Sequence, residues 1–208
     1  MTSGREKAYA YLKDIVLTDP AMQGEFLSEQ DIADRISVSR TPIREALLLL
    51  AAEDLVQLVP KRGARVASLS GREISELMEL RGIVERYAAE QAVRSGTTPV
   101  RELQELLARQ AELTGPEQAR EFIALDHTFH ATLVAAVGNS LLERHYDGLR
   151  SRQVRAGVVA LFSSPGRQET VLDEHRAILD ALTKGDATAA RAAIDAHLES
   201  TLKVLLAG

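Results

Sequence analysis

The sequence contains no cysteine among its 208 residues, which excludes disulfides and cysteine-ligated metal sites. This lack also favours an intracellular, cytoplasmic setting. Tryptophan is absent too, and aromatic residues make up only 4% of the chain. No long uncharged apolar run occurs and the first residues are polar, so we expect no signal peptide, no membrane span and no membrane partner.

What is present is typical of a globular helical protein. Hydrophobic residues make up 45% of the chain and charged residues 26%, which is enough apolar material for an ample core. Alanine and leucine are abundant, and with so few aromatic residues this composition favours helices packed on helices. The length allows one large domain, or a small domain followed by a medium-sized one.

The net charge of −5 is unusual for a nucleic-acid-binding protein, but the charge is unevenly distributed. Residues 35–65 hold six basic residues against three acidic ones. The six are Arg35, Arg40, Arg44, Lys61, Arg62 and Arg65. This local excess favours phosphate contacts, and the acidic remainder limits non-specific binding without forbidding them.

The segment Val38–Leu47 predicts a helix whose exposed first turn carries two arginines. Arg40 and Arg44 are four residues apart and share a face, while the leucine-rich body of the helix packs against a core. Either Ser39 or Thr41 can cap the helix. With the short helix predicted before it, this segment forms a helix-turn-helix that suits the major groove of DNA. The alternative is an ordinary surface helix with two solvated arginines.

Two β-prone runs follow, at residues 55–59 and 64–67, joined by a turn that contains Lys61, Arg62 and Gly63. A hairpin directly after a helix-turn-helix is typical of a wing, whose basic tip lies near the DNA backbone. Glycine supplies turn conformations that a side chain resists. A generic surface hairpin is the alternative.

Helical periodicity continues from a short polar joint to the C-terminus, interrupted by turns rich in glycine, proline and serine. These turns predict six helices, at roughly residues 71–95, 99–113, 117–137, 139–161, 167–184 and 187–206. No strand pattern occurs there, which favours an antiparallel bundle. The predicted fold is therefore mainly α, with an N-terminal winged helix-turn-helix domain at residues 1–68 and an all-α antiparallel bundle at residues 69–208.

One aspartate and three histidines lie on apolar stripes of these predicted helices. Asp126 and His130 are four residues apart and point the same way, whereas His175 and His197 belong to later helices. If the four converge, neutral imidazoles and a carboxylate suit Zn²⁺, Ni²⁺ or Mn²⁺ and leave coordination positions open. The alternative is that they are hydrogen-bonded histidines of a helical core, and the spacing alone leaves both interpretations open.

The N-terminal residues resemble the DNA-binding domain of GntR-family transcriptional regulators. The likeness covers residues 5–67 and is carried chiefly by Val38–Leu47 and by the turn at residues 60–66. One position departs from the pattern, since some relatives carry a further DNA-contacting arginine where this chain has Gln30.

The resemblance implies a role for each matching residue. Arg40 and Arg44 are expected to contact operator bases or the phosphates around them, Thr41 to contact phosphate, and Gly63 to lie at the wing tip. The complete set of predicted DNA-binding residues is Arg35, Ser39, Arg40, Thr41, Arg44, Lys61, Arg62 and Gly63.

Residues 70–206 resemble the all-helical effector domain of the FadR subgroup, called FCD, in its shorter, VanR-like six-helix branch. The resemblance implies a bound divalent metal whose coordination shell is completed by an organic acid. The implied metal ligands are Asp126, His130, His175 and His197. Arg81 matches a position that often faces the effector, where a guanidinium can bind two carboxylate oxygens. A structural pair with Glu85, one turn later, is the alternative for Arg81.

We therefore expect a sequence-specific transcriptional regulator, acting as a repressor and not as an enzyme. Its partners are expected to be double-stranded operator DNA, a small carboxylate effector and a second copy of the chain in a homodimer. Two alternatives remain: a metal-dependent hydrolase or lyase bundle with an accessory helix-turn-helix, or a metal-binding bundle whose helix-turn-helix makes only protein contacts.

Overall fold

The computed structural model describes residues 3–60 and 62–207, and the chain divides into two compact units. One unit extends to Leu69 and the other begins at Ser70. The first unit has an apolar core of its own, formed by helices and a small sheet.

Three helices form the body of the first unit: α1 (Gly4–Thr18), α2 (Glu29–Ile36) and α3 (Arg40–Ala52). α1 begins with a capping box in which Ser3 and Glu6 satisfy each other's backbone N–H groups. Ser28 caps α2 by accepting a hydrogen bond from the backbone N–H of Asp31. Ser39 holds the N-cap position of α3, although within the described residues its hydroxyl makes no capping hydrogen bond.

A three-stranded antiparallel sheet completes this unit, with strands β1 (Phe26–Leu27), β2 (Val56–Val59) and β3 (Gly63–Val66). β3 lies between the other two and pairs with both. β2 and β3 form the hairpin that the sequence predicts. β1 is a finding of the structure, because a strand of two residues carries no measurable periodicity. It ties the segment before α2 to the wing.

The core of the first unit explains the orientation of α3. The side chains that α1 and α3 bury at helical spacing are Ala8, Leu12, Val16, Ile43, Leu47 and Leu50. Burying an aliphatic side chain of this size contributes about 1.5–3 kcal/mol. Because this stripe faces inward, Arg40 and Arg44 stay on the exposed side of α3.

The second unit is helical, with no strand among its described residues. Its helices are α4 (Gly71–Ser95), α5 (Val100–Ala111), α6 (Ala119–Ala135), α7 (Ser140–Asp147), α8 (Arg150–Ser163), α9 (Arg167–Thr183) and α10 (Ala187–Ala207). α4 begins with a capping box between Ser70 and Glu73, and α10 packs along both α4 and α9. Over the described part of the chain, no helix has the combined length and apolarity that crossing a bilayer requires.

The prediction of six helices in this region is wrong, because the structure has seven α-helices among the described residues. The helix predicted at residues 139–161 is interrupted at Gly148 and Leu149. Both residues keep right-handed helical backbone angles, with φ −59° for Gly148 and φ −86° for Leu149. The interruption therefore carries no strong turn signal, and a glycine weakens a helix by only about 1 kcal/mol.

Candidate DNA-binding groove and metal centre

A concave groove of about 580 Å³ runs along the exposed side of α3, and we call it the recognition groove. Its polar lining includes Glu29, Gln30, Arg40, Arg44, Arg62 and Gly63. The side chains of Arg40 and Arg44 are 58% and 68% exposed. The structure therefore brings four of the predicted DNA-binding residues, from the helix and from the wing, to one surface.

One carboxylate holds the two arginines that α3 contributes to the recognition groove. Arg44 donates from Nε and Nη2 to the two oxygens of Glu29, over 3.1 and 3.0 Å, and Arg40 donates from Nη2 over 3.3 Å. The hydrogen bond from Arg44 lowers the pKa of Glu29 below its ordinary value. Sequence reasoning missed Glu29, since an acidic residue in the first turn of a helix is commonplace.

The wing contributes an arginine supported by an aromatic ring. The guanidinium of Arg62 lies over the ring of Phe26, 4.4 Å from its centroid, and both side chains are exposed. Gly63 adopts a φ of +95°, and a Cβ there would lie 2.5 Å from the carbonyl oxygen of Leu27. Only glycine fits this approach between β3 and β1. Lys61 lies outside the described residues.

The remaining predicted DNA-binding residues occupy different positions. Ser39 and Thr41 are exposed at the start of α3, beside Arg40. Arg35 is exposed in the last turn of α2 and does not belong to the lining of the recognition groove. Gln30 does line the groove, and it donates from Nε2 to Asp34 over 2.9 Å.

Inside the second unit, four predicted metal ligands come together. They are Asp126, His130, His175 and His197, called here the Asp–His cluster. The atoms that could bind an ion all lie within 4.8 Å of one another. α6 supplies two of the residues, while α9 and α10 supply one each. Two atoms that bind one metal at about 2.0–2.2 Å are at most about 4.4 Å apart, so an ion requires no more than a slight contraction of the cluster.

Each histidine of the Asp–His cluster has its Nδ1 atom next to a side-chain oxygen of another helix. Nδ1 of His175 is hydrogen-bonded to Gln110 (3.0 Å) and Nδ1 of His197 to Glu174 (2.8 Å), whereas Nδ1 of His130 lies 2.9 Å from Glu85 as a close polar contact without hydrogen-bond geometry. Such acceptors place the proton on Nδ1 and leave the Nε2 lone pair available to a metal. Nε2 of His130 is buried and, within the described residues, makes no hydrogen bond. A metal would satisfy this atom, so the donor set fits a bound cation.

The protonation states of the cluster also fit a cation. Burial lowers the pKa of His175, and it lowers that of His197 to about 4. Burial tends to raise the pKa of Asp126, but the three histidines around its carboxylate outweigh that effect, so that the net shift is downward. Neutral imidazoles and an ionised carboxylate are the forms that bind a divalent metal.

Arg81 forms the structural pair that was the alternative interpretation for this residue. Its Nε donates to Oε1 of Glu85 over 2.7 Å, and both side chains are buried. Tyr146 donates its hydroxyl to the same oxygen, also over 2.7 Å. Because the other Glu85 oxygen faces His130, one carboxylate links Arg81 to the Asp–His cluster.

A cavity of about 20 Å³ adjoins the cluster, with Asp126 and His197 in its wall. Arg81, Gln153 and Arg167 also line it. One nitrogen of each of these three (Nη2, Nε2 and Nε respectively) is buried without a hydrogen-bond partner in the described part of the chain. A cavity of this size holds about one water molecule, so a larger ligand needs the wall to move. No sequence pattern singles out Gln153 or Arg167, since each lies in an otherwise ordinary helix.

Comparison with known proteins agrees with this architecture. The model of bacterial regulatory proteins of the gntR family matches residues 5–66, and the FCD domain model matches residues 76–200. An HTH-type transcriptional regulator in an unstable DNA locus of Streptomyces ambofaciens is 34% identical over 95% of this chain and 83% of its own length. The gluconate operon transcriptional repressor of Bacillus subtilis (strain 168) is 34% identical over 61% of this chain and 52% of its own length.

Among solved structures, a GntR transcriptional regulator from Rhodococcus sp. RHA1 superimposes with a TM-score of 0.79. It covers 98% of both chains at 23% sequence identity, which shows a shared fold. Together with the two matching domain models, these similarities establish the family. The chain belongs to the GntR family of bacterial transcriptional regulators and carries an FCD domain.

Proposed function

We propose that the protein is an operator-binding repressor whose DNA affinity changes when a small organic acid binds at a divalent metal in the second unit. The observation that carries the proposal is the buried Asp–His cluster, in which every histidine has its Nδ1 atom within 3.0 Å of a side-chain oxygen. A transcriptional regulator with such a centre has the means to couple DNA binding to a metabolite.

On the DNA side, the first turn of α3 enters the major groove and the wing contacts the backbone. The exposure of Arg40 and Arg44, and the position of Arg62 across the recognition groove, support this arrangement. Thr41 and Ser39, exposed beside Arg40, are available to phosphate oxygens.

The regulator acts as a homodimer on a near-palindromic operator, because two recognition helices then reach successive major grooves. An exposed apolar stripe on α4 supports self-association. Leu80, Ile83 and Tyr87 follow a spacing of three and four residues, and they are 43%, 55% and 47% exposed. Contiguous exposed apolar surface of this kind marks interaction sites.

The metal is Zn²⁺, Ni²⁺ or Mn²⁺, held by the carboxylate of Asp126 and the Nε2 atoms of the three histidines. When bound, it supplies a Lewis-acidic position open to a carboxylate oxygen. Glu85, Gln110 and Glu174 orient the imidazole rings and strengthen them as ligands.

The effector is a small carboxylate, since Arg81, Gln153 and Arg167 each place in the cavity wall a nitrogen that has no partner among the described residues and can donate to an anionic oxygen. Because the cavity of about 20 Å³ is too small for an organic acid, the acid binds a conformation with a wider cavity. The acid binds the conformation with the wider cavity more tightly than the one with the narrow cavity. The difference between these two binding free energies is available to change operator binding.

A DNA-binding titration tests the proposal. Fluorescence anisotropy with labelled duplex from upstream of the protein's own gene compares wild type with the double variant Arg40→Ala/Arg44→Ala. We expect the variant to lose at least about tenfold in affinity, because both base and phosphate contacts disappear. The matched control is Arg72→Ala/Arg101→Ala, which removes two positive charges that are 87% exposed in the second unit. Undiminished binding by the first variant refutes the recognition-helix assignment.

A further inference from the structure

Glu29 holds the two arginines of α3, Arg40 and Arg44, in different ways. A guanidinium presents two edges with paired N–H donors, one at Nε and Nη2 and one at Nη1 and Nη2. Glu29 occupies the first edge of Arg44 with two hydrogen bonds of 3.1 and 3.0 Å. Arg40 makes only one hydrogen bond to Glu29, from Nη2 over 3.3 Å. Arg44 is therefore fixed in orientation, whereas Arg40 keeps most of its freedom.

We propose that Glu29 is a positioning residue that sets DNA specificity by fixing Arg44 as a reader of guanine. This inference rests on the DNA-binding function proposed above. Guanine offers O6 and N7 as two acceptors in the major groove, and the commonest specific contact there is a bidentate arginine. With Glu29 on one edge, Arg44 presents the other two-donor edge outward, and its side chain is 68% exposed.

The position of Glu29 argues for a role beyond an ordinary ion pair. Surface ion pairs contribute little to stability, and a carboxylate on a DNA-facing surface repels phosphate. Glu29 nevertheless lies in the lining of the recognition groove, with its side chain only 12% exposed. Ordering a long arginine side chain costs rotamer entropy, and a fixed partner removes that cost before DNA arrives.

Arg40, which makes a single hydrogen bond to Glu29, suits a contact that does not require one fixed orientation of the guanidinium. A phosphate oxygen accepts from an arginine approaching in many orientations, so a single hydrogen bond to Glu29 is no hindrance. Two arginines that share one face of the helix therefore have different roles: Arg44 reads a base, and Arg40 contacts phosphate.

The test begins with the full-length wild-type protein and a random-sequence duplex library. Affinities are then measured for the selected site and for versions in which each guanine–cytosine pair is replaced by adenine–thymine. We expect Arg44→Ala and Glu29→Gln to lose discrimination at the same guanine, by about 5- to 100-fold. Their double variant should lose no more than Arg44→Ala alone, because the two residues act as one unit.

Asp31→Asn is the matched control. Asp31 lies in the same first turn of α2 and is exposed, so its substitution changes net charge and helix-end electrostatics as Glu29→Gln does. We expect both variants to gain non-specific affinity, and only Glu29→Gln to lose discrimination. The salt dependence of binding should not weaken in Glu29→Gln, since every phosphate-binding cation remains.

Circular dichroism establishes that each variant folds. If Glu29→Gln does not fold, Glu29→Asp serves instead, because it keeps the charge but is one methylene too short to hold both donors of Arg44. Full discrimination in a folded Glu29 variant overturns this inference while the regulator function stands, and so does an Arg44→Ala variant that keeps every guanine preference. A wild-type protein that selects no sequence overturns both.

Discussion

At the residue scale, the Asp–His cluster depends on acceptors that come from other parts of the chain. Glu174 directly precedes His175 in the sequence, yet it holds Nδ1 of His197. His175 is held instead by Gln110, whose Nε2 donates to the backbone oxygen of Phe122 over 3.2 Å. That hydrogen bond fixes the amide so that its oxygen faces the imidazole. Each of the three histidines thus faces a side-chain oxygen on a different helix.

Metal content tests the ligand assignment directly. We expect His130→Ala to lower the metal bound per chain to a small fraction of the wild-type value, because it removes one of four proposed ligands, whose Nε2 atom makes no hydrogen bond within the described residues. Gln110→Leu leaves the ligands in place and should weaken metal affinity by about 10- to 100-fold. Elemental analysis of purified protein and a competition titration with a chelator measure the two effects.

His145→Ala is the control for this experiment, since His145 is exposed and lies outside the Asp–His cluster. It should keep the wild-type metal content. Equal metal content in wild type and His130→Ala would remove His130 from the proposed coordination.

At the element scale, boundaries set by local capping were predictable, and boundaries set by packing were not. The capping box of Ser70 and Glu73 starts α4 where the sequence predicts it. The break between α7 and α8 falls at Gly148 and Leu149, which both retain helical angles. β1 was also missed, because its strand character comes only from pairing with β3.

The wing offers a test of element-scale strain. Gly63→Ala places a Cβ in a backbone with φ of +95°, 2.5 Å from the Leu27 carbonyl oxygen. The left-handed backbone alone costs about 1–2 kcal/mol, and the close contact adds to it. We expect the free energy of unfolding of the first unit to fall by more than about 2 kcal/mol, measured by chemical denaturation of the full chain.

Gly24→Ala separates the two contributions. Gly24 has a φ of +77°, but its nearest neighbour would be the flexible end of Arg65 at 3.4 Å. This variant should show the backbone cost alone. If both variants lose the same free energy of unfolding, the close approach of a Cβ at position 63 to Leu27 adds no cost to that of the backbone.

At the scale of the whole molecule, the separation into two units reconciles an acidic chain with DNA binding. The net charge is −5, yet exposed arginines gather on one face of the first unit. The second unit carries the Asp–His cluster and the apolar stripe on α4. The proposed regulator therefore assigns DNA contact to one unit, and effector binding and self-association to the other.

The proposed dimer is tested by placing a charge in the α4 stripe. Ile83 is 55% exposed, so Ile83→Asp should fold normally while opposing burial of the stripe against a second copy. We expect light scattering after size exclusion to show a monomer, and operator affinity to fall at least about tenfold because two half-sites are no longer bound together. Leu141→Asp, at a position 60% exposed on α7, should remain dimeric. A dimeric Ile83→Asp protein would place the interface elsewhere.

The sequence by itself determined the features that depend on neighbours three or four residues apart. These include the capped helices, the shared face of Arg40 and Arg44, and the pairing of Asp126 with His130 on one side of a helix. Local backbone geometry alone produces them.

Only the tertiary structure decided which distant side chains meet. Glu29 reaches Arg44 across fifteen positions, and the helices of His175 and His197 converge on α6 only when the bundle packs. The acceptors on the histidines and the small cavity beside them follow from the same packing. The physical reason is that helical periodicity records which face of an element is buried, but not which side chain of another element it will face.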